Sequence, residues 1–156
     1  MKKVIYPGTF DPITNGHLDI IQRATAIFDR VVIAVAESKE KKPMFSLSKR
    51  VDMVSKAIWN LDSVEVRPFS GLLVHLLQEE KTKFVIRGLR NGVDFEYEKN
   101  MEYSNRSLYP DIETIYLNCR AENSFISSSV VRTLLKYGGD ISHLVPDEVE
   151  KIIRDA

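Results

Sequence analysis

Tyr6-Pro7-Gly8-Thr9-Phe10-Asp11-Pro12-Ile13-Thr14-Asn15-Gly16-His17 decides how this chain is read. It continues a short apolar strand, crosses a turn rich in glycine and proline, and enters a helix at Gly16-His17. That order aims backbone N–H groups and an imidazole at one point beyond the strand's carboxyl end. A helix N-terminus carries about half a positive charge and unpaired donors, so the point suits a phosphate. An imidazole there can stabilise an anion that develops only in a transition state. A histidine in a first helical turn could equally pack half-buried against the sheet. Gly16, which permits close backbone approach, and the Thr9 hydroxyl tip the reading toward function.

Outward from this stretch, five runs rich in β-branched residues read as strands: Lys3–Tyr6, Val31–Ala36, Val64–Arg67, Phe84–Arg87 and Ile112–Leu117. Each is mostly apolar rather than alternating, as expected when both faces of a sheet are covered. Helical patterns separate them. His17, Ile21, Ala24 and Phe28 share a face, and Ser46 can cap a helix running through Val51, Val54, Ala57 and Ile58. Leu72–Glu80, Val93–Leu108 and Ser127–Tyr137 follow, the last stopped by Gly138-Gly139, and Pro146 opens a final short helix. The alternation predicts one α/β domain over residues 1–156, a Rossmann-like, doubly wound, parallel five-stranded sheet with helices on both faces. Ligands of such sheets bind beyond the carboxyl ends of the strands. Thr9, Lys41, Arg87, Asn118 and Ser127 all fall there.

Composition narrows the classes. The chain has 156 residues, with 22 Lys and Arg balanced by 22 Asp and Glu, which argues against nonspecific nucleic-acid binding. One cysteine, Cys119, allows no internal disulfide and fits a reducing cytoplasm. It has no evident activating base and reads as a buried thiol. The apolar run after Met1-Lys2-Lys3 is too short for a signal peptide, and no segment approaches the roughly 20 apolar residues of a membrane span.

Further candidates follow the other strands. Arg87-Gly88-Leu89-Arg90 offers two guanidiniums around a glycine, suited to bidentate phosphate recognition, although Asp94, Glu96 and Glu98 could simply pair with them. Lys41-Lys42 lies in a charge-rich loop, and either lysine could point inward. Phe125-Ile126-Ser127-Ser128-Ser129 opens a helix with more serines than one N-cap needs, a second phosphate cradle. There is no GxGxxG, no P-loop and no set with metal-ligand spacing, and His75 and His143 are isolated.

Pro7 to Pro12, Gly16-His17, Arg87 to Arg90 and Phe125 to Ser129 together resemble bacterial phosphopantetheine adenylyltransferases, as do Lys41 to Phe45 and Asp94 to Glu98. Thr14-Asn15-Gly16-His17 alone marks only the wider nucleotidyltransferase superfamily. The resemblance implies transfer of the adenylyl group of ATP to 4′-phosphopantetheine, giving 3′-dephospho-coenzyme A and pyrophosphate, with Mg²⁺ accompanying the nucleotide. It also implies a homohexamer. By resemblance, Thr9, Lys41, Leu73 and Arg87 contact phosphopantetheine. Thr9, Phe10, His17, Gly88, Leu89, Arg90, Glu98, Asn123, Ser124, Phe125, Ile126, Ser127, Ser128 and Ser129 contact ATP, and His17, Thr9, Lys41 and Arg90 carry catalysis. Asn123 stands where many members carry tryptophan, a change expected to alter packing near the nucleotide rather than the reaction. No dedicated metal ligands, nucleic-acid partner or membrane partner are expected, and coenzyme A is a possible further ligand. Two rivals remain: a cytidylyltransferase using glycerol 3-phosphate, and a non-catalytic nucleotide or coenzyme A sensor.

Overall fold

The strands are β1 (Lys3–Gly8), β2 (Arg30–Ala36), β3 (Val64–Phe69), β4 (Phe84–Leu89) and β5 (Glu113–Asn118). In this computed structural model, which describes residues 1–38, 40 and 42–155, they form one parallel sheet in the order β3-β2-β1-β4-β5. The helices are α1 (Asn15–Ala24), α2 (Leu47–Ala57), α3 (Leu73–Glu79), α4 (Gly92–Leu108), α5 (Ser128–Lys136) and α6 (Asp147–Arg154). The expected doubly wound architecture is present.

Alternate strand residues serve opposite faces. Val4, Tyr6, Val31 and Ile33 join Ile20 and Ile21 of α1, Met53 and Val54 of α2, Val131 of α5 and Val149 of α6. Ile5, Val32, Ala34 and Val85 instead meet Leu76 and Leu77 of α3. Ile21 is fully buried, so truncation to alanine should cost about 2–5 kcal/mol.

The order of strands reverses direction between β1 and β4, and there the sheet opens. β1 and β2 hold register from Lys3↔Arg30 to Gly8↔Val35. β1 and β4 pair only at Val4↔Phe84 and Ile5↔Val85. Pro7 has no N–H to extend a ladder. Its carbonyl accepts from the Arg87 side chain at 2.6 Å. The crevice between these strands is the site described below.

Several boundaries differ from the sequence reading. β4 extends to Leu89, because Arg87, Gly88 and Leu89 pair with Tyr116, Leu117 and Asn118 of β5. Gly88 and Leu89 are therefore strand residues rather than loop residues, and Arg87, read as the strand's last residue, lies inside it. α1 ends at Ala24, yet Phe28 still reaches the core through the following turn. Cys119 is half-buried rather than buried, since β5 ends at Asn118 and the chain leaves the sheet there. Ser46 caps α2 as read, and Ser127, read as the first residue of the fifth helix, is the N-cap of α5. Gly138 takes the left-handed conformation (φ 73°) that ends α5.

Candidate active site

His17 is fixed by a capping box. The Thr14 hydroxyl accepts the His17 N–H at 3.3 Å, and Nδ1 of His17 accepts the Thr14 N–H at 3.0 Å. The α1 N-terminus is anchored further by the Asn15 N–H, which donates to Leu144 O at 2.9 Å. Burial, and then the nearby Arg87 and Arg90 cations, lower the His17 pKa to about 4. The ring is neutral at pH 7. With Nδ1 accepting, its proton sits on Nε2, so His17 offers a hydrogen-bond donor. The Phe10 ring packs against the imidazole at 4.9 Å between centroids, which fixes its tilt.

The turn between β1 and α1 holds Phe10 at φ 48°. Non-glycine residues in that region cost of order 1–3 kcal/mol and persist where neighbours over-determine them. Here they do. Arg50 Nη1 donates to Thr9 O at 2.8 Å, Arg132 Nη1 to Asp11 O at 2.9 Å, and Ser128 Oγ to Pro12 O at 2.8 Å. Gly8 permits the turn to close, since a Cβ there would lie 3.0 Å from the Phe10 ring. Gly88 likewise admits α1, since its Cβ would meet Ile20 at 3.2 Å.

Arg87 and Glu98 form a bidentate pair, Nε and Nη2 each donating to a carboxylate oxygen at 2.8 Å. Burial opposes the Arg87 charge, but the Glu98 bond and charge outweigh it and raise its pKa. Arg90 donates from its backbone N–H and Nε to Asp94 Oδ2 at 3.0 and 3.2 Å. Both arginines thus rest on carboxylates. Glu98 and Asp94 orient them inside the crevice, where each still lines a cavity. Tyr6 is buried beside this pair, and burial pushes its pKa to about 12.

The three serines divide their tasks. Ser127 caps α5 by accepting the Val130 N–H, Ser128 bonds the Pro12 carbonyl, and Ser129 accepts from Arg132 Nη2 at 3.1 Å. Each has a structural job, and all three line the same cavity as His17.

Two cavities of about 330 Å³ each meet at this point. The first, on the α1/α5 side, is lined by Thr9, Phe10, His17, Gly88, Arg90, Glu98, Asn123, Ile126 and the three serines. The second, on the α3/α4 side, is lined by Leu73, Tyr97, Met101 and Asn105. Pro7, Gly8, Thr9, Arg87 and Glu98 belong to both. Leu89, Ser124 and Phe125 line neither; the Leu89 side chain is buried and Phe125 is exposed. Lys41 lies outside the described residues. Two residues escaped the sequence reading, Arg132 and Arg50, and Asp11 stands in it without a role. Arg132 and Asp11 line the first cavity, and Arg50 is buried behind it. For Arg50 a signal existed, because it falls on the same helical face as Val54 and Ala57. Among the described residues no group of three or more His, Cys, Asp or Glu could hold a metal ion.

Comparison with known proteins accords with this geometry. The Cytidylyltransferase-like family matches residues 5–134. The chain is 58% identical to the phosphopantetheine adenylyltransferase of Nautilia profundicola, over 96% of this chain and 97% of that one. It is 57% identical to that of Campylobacter hominis, covering 97% and 95%. A solved Vibrio parahaemolyticus structure, described as a nicotinate-nucleotide adenylyltransferase, superposes with a TM-score of 0.75 at 18% identity, covering 99% of this chain and 93% of that one. That likeness speaks for the fold. With relatives this similar along nearly the whole chain, the protein belongs to the phosphopantetheine adenylyltransferase family.

Proposed function

We propose that this chain transfers the adenylyl group of ATP to 4′-phosphopantetheine, giving 3′-dephospho-coenzyme A and pyrophosphate, the penultimate step of coenzyme A synthesis. The observation that carries this reading is the pair of cavities sharing Thr9 and Arg87. A nucleotide on the α1/α5 side and a phosphorylated acceptor on the α3/α4 side would bring their phosphates together at that shared wall. An oxygen of the acceptor phosphate attacks the α-phosphorus in line. A new P–O bond forms, the bond to the β-phosphate's bridging oxygen breaks, and pyrophosphate leaves with the electron pair.

A phosphate nucleophile is already ionised at neutral pH, so no general base is required. The site's work is positioning and charge stabilisation. The His17 Nε2–H and the Thr9 hydroxyl donate to the non-bridging oxygens of the α-phosphate. Arg87 binds the attacking phosphate, while Arg90 and Ser127 to Ser129 hold the β- and γ-phosphates. Leu73 lies against the pantetheine arm. Glu98, Phe10, Gly88, Asn123 and Ile126 line the nucleotide side, and the roles of Leu89, Ser124, Phe125 and Lys41 rest on the resemblance alone. The arginine- and serine-rich lining suits a triphosphate that brings its own Mg²⁺, which neutralises phosphate charge.

The setting is cytoplasmic; no helix among the described residues is long and apolar enough to cross a membrane. The assembly is a homohexamer. In support, α4 contributes no buried residue yet exposes Val93, Tyr97 and Leu108, which share one helical face. An exposed apolar stripe of this kind marks an interaction surface.

The test is pyrophosphate release from Mg-ATP plus 4′-phosphopantetheine, beside CTP plus glycerol 3-phosphate. Release in the first mixture alone supports the reading. Release in the second alone moves the chain to a cytidylyltransferase role. ATP binding without release in either makes it a sensor.

A further inference from the structure

Arg50 is the largest fully buried side chain among the described residues, 2% exposed. Its guanidinium gathers three separate carbonyls. Nη1 donates to Thr9 O at 2.8 Å and to Ala36 O at 2.9 Å, and Nε donates to Phe45 O at 3.1 Å. Those acceptors lie just past β1, at the end of β2 and just before α2. Asp11, 4% exposed, works from the other side. Its carboxylate accepts the Met44 N–H at 2.8 Å and the Phe45 N–H at 3.0 Å. Residue Phe45 is therefore held at its C=O by Arg50 and at its N–H by Asp11. Both charges also belong to, or bind, the Thr9–Asp11 turn.

A buried charge costs several kcal/mol and survives only with full satisfaction. Burial weakens the hold of Arg50 on its proton, and the charges of Asp11 and Glu37 support it. An apolar residue at this helix position would extend the face of Val54 and Ala57 without that cost. What the charged pair adds is geometry: Thr9 and Asp11 are each fixed on either side of Phe10, which sits in a left-handed conformation. Thr9 lines both cavities, so its placement sets where the two phosphates meet.

We infer that Arg50 and Asp11 are positioning residues for phosphoryl transfer, a buried staple that holds the Thr9 turn in register with the crevice. The inference rests on the reaction proposed above. A displacement of about 1 Å in such a site can lower turnover by about 10²-fold. Nucleotide binding, spread over α1, β4 and α5, is much less sensitive.

The test compares kcat, both KM values and calorimetric ATP affinity in wild type, Arg50→Met, Arg50→Lys and Asp11→Asn. Assays run well below each variant's melting temperature, with folding checked by circular dichroism. Arg50→Met is expected to lower kcat by about 10²-fold, with ATP affinity within about threefold of wild type. Arg50→Lys, which keeps the charge and part of the bonding, recovers some of that loss. Asp11→Asn, which keeps the shape but loses one acceptor, falls between. If Arg50→Met does not fold, Arg50→Lys and Asp11→Asn decide. Folded variants with kcat within threefold of wild type, or with losses confined to KM, overturn the inference. An inactive wild type refutes the assigned reaction instead, and is read separately from the variants.

Discussion

The backbone N–H of Thr14 donates to Nδ1 of His17 at 3.0 Å, and this one bond decides which end of the imidazole can act. A nitrogen that accepts an amide proton cannot carry its own, so the neutral ring is protonated at Nε2. With its pKa lowered to about 4, chiefly by burial, the free protein should hold this tautomer across the neutral range. Nitrogen-15 shifts of His17 at pH 6 should report a neutral Nε2–H ring. A doubly protonated ring at that pH would contradict the assignment of His17 as a donor.

The same shift predicts a pH effect on stability. The unfolded chain protonates His17 near 6.5 and the folded chain near 4, so between these values the unfolded state binds more protons. Stability contributed at this residue is full above pH 6.5, falls as pH drops through the window, and is lost below about 4. Denaturant titrations of wild type and His17→Asn should therefore converge or cross on acidification, with wild type losing more between pH 6.5 and 4. A constant difference across that range would remove the linkage.

Arg87 meets Glu98 through two parallel bonds of 2.8 Å, a fork geometry that an ammonium cannot reproduce. Arg87→Lys should raise KM for 4′-phosphopantetheine by roughly 10–100-fold, the worth of a charge-assisted bond or two. ATP affinity should change far less. An equal weakening of both substrates would mean that Arg87 acts on the crevice as a whole.

Ser128 bonds the Pro12 carbonyl across the junction of α5 and the turn. Ser128→Ala leaves that carbonyl without this donor and should cost about 1 kcal/mol. Its neighbour Ser127 caps α5, and Ser127→Ala should cost a similar amount, about 1 kcal/mol. Urea midpoints for the two variants check both values. No loss in Ser128→Ala would show that the contact contributes nothing net.

Much of the sheet and the shape of the crevice were legible because their signals are local. Runs such as Val31 to Ala36 read as strands covered on both faces, whereas the capping box between Thr14 and His17 emerges only from the structure, because a histidine stands where such a box usually carries Glu or Gln. Asp11 was legible only as a turn residue, since its partners Met44 and Phe45 lie more than thirty residues away. Arg50 and Arg132 carry charges that usually mark a solvated helix face, yet each turns inward to a carbonyl of the same turn. The extent of β4 was missed for a related reason. Gly88 looks like a breaker, but here the missing side chain makes room for Ile20 inside a paired strand.

The most direct test of the account measures pyrophosphate release from Mg-ATP and 4′-phosphopantetheine by wild type and His17→Ala, with ATP binding followed in parallel. The account predicts release only when both substrates are present, a fall of roughly 10²–10³ in turnover in the variant, and a folded variant that still binds ATP. Unchanged turnover in His17→Ala would remove the imidazole from the chemistry and contradict the account at its centre.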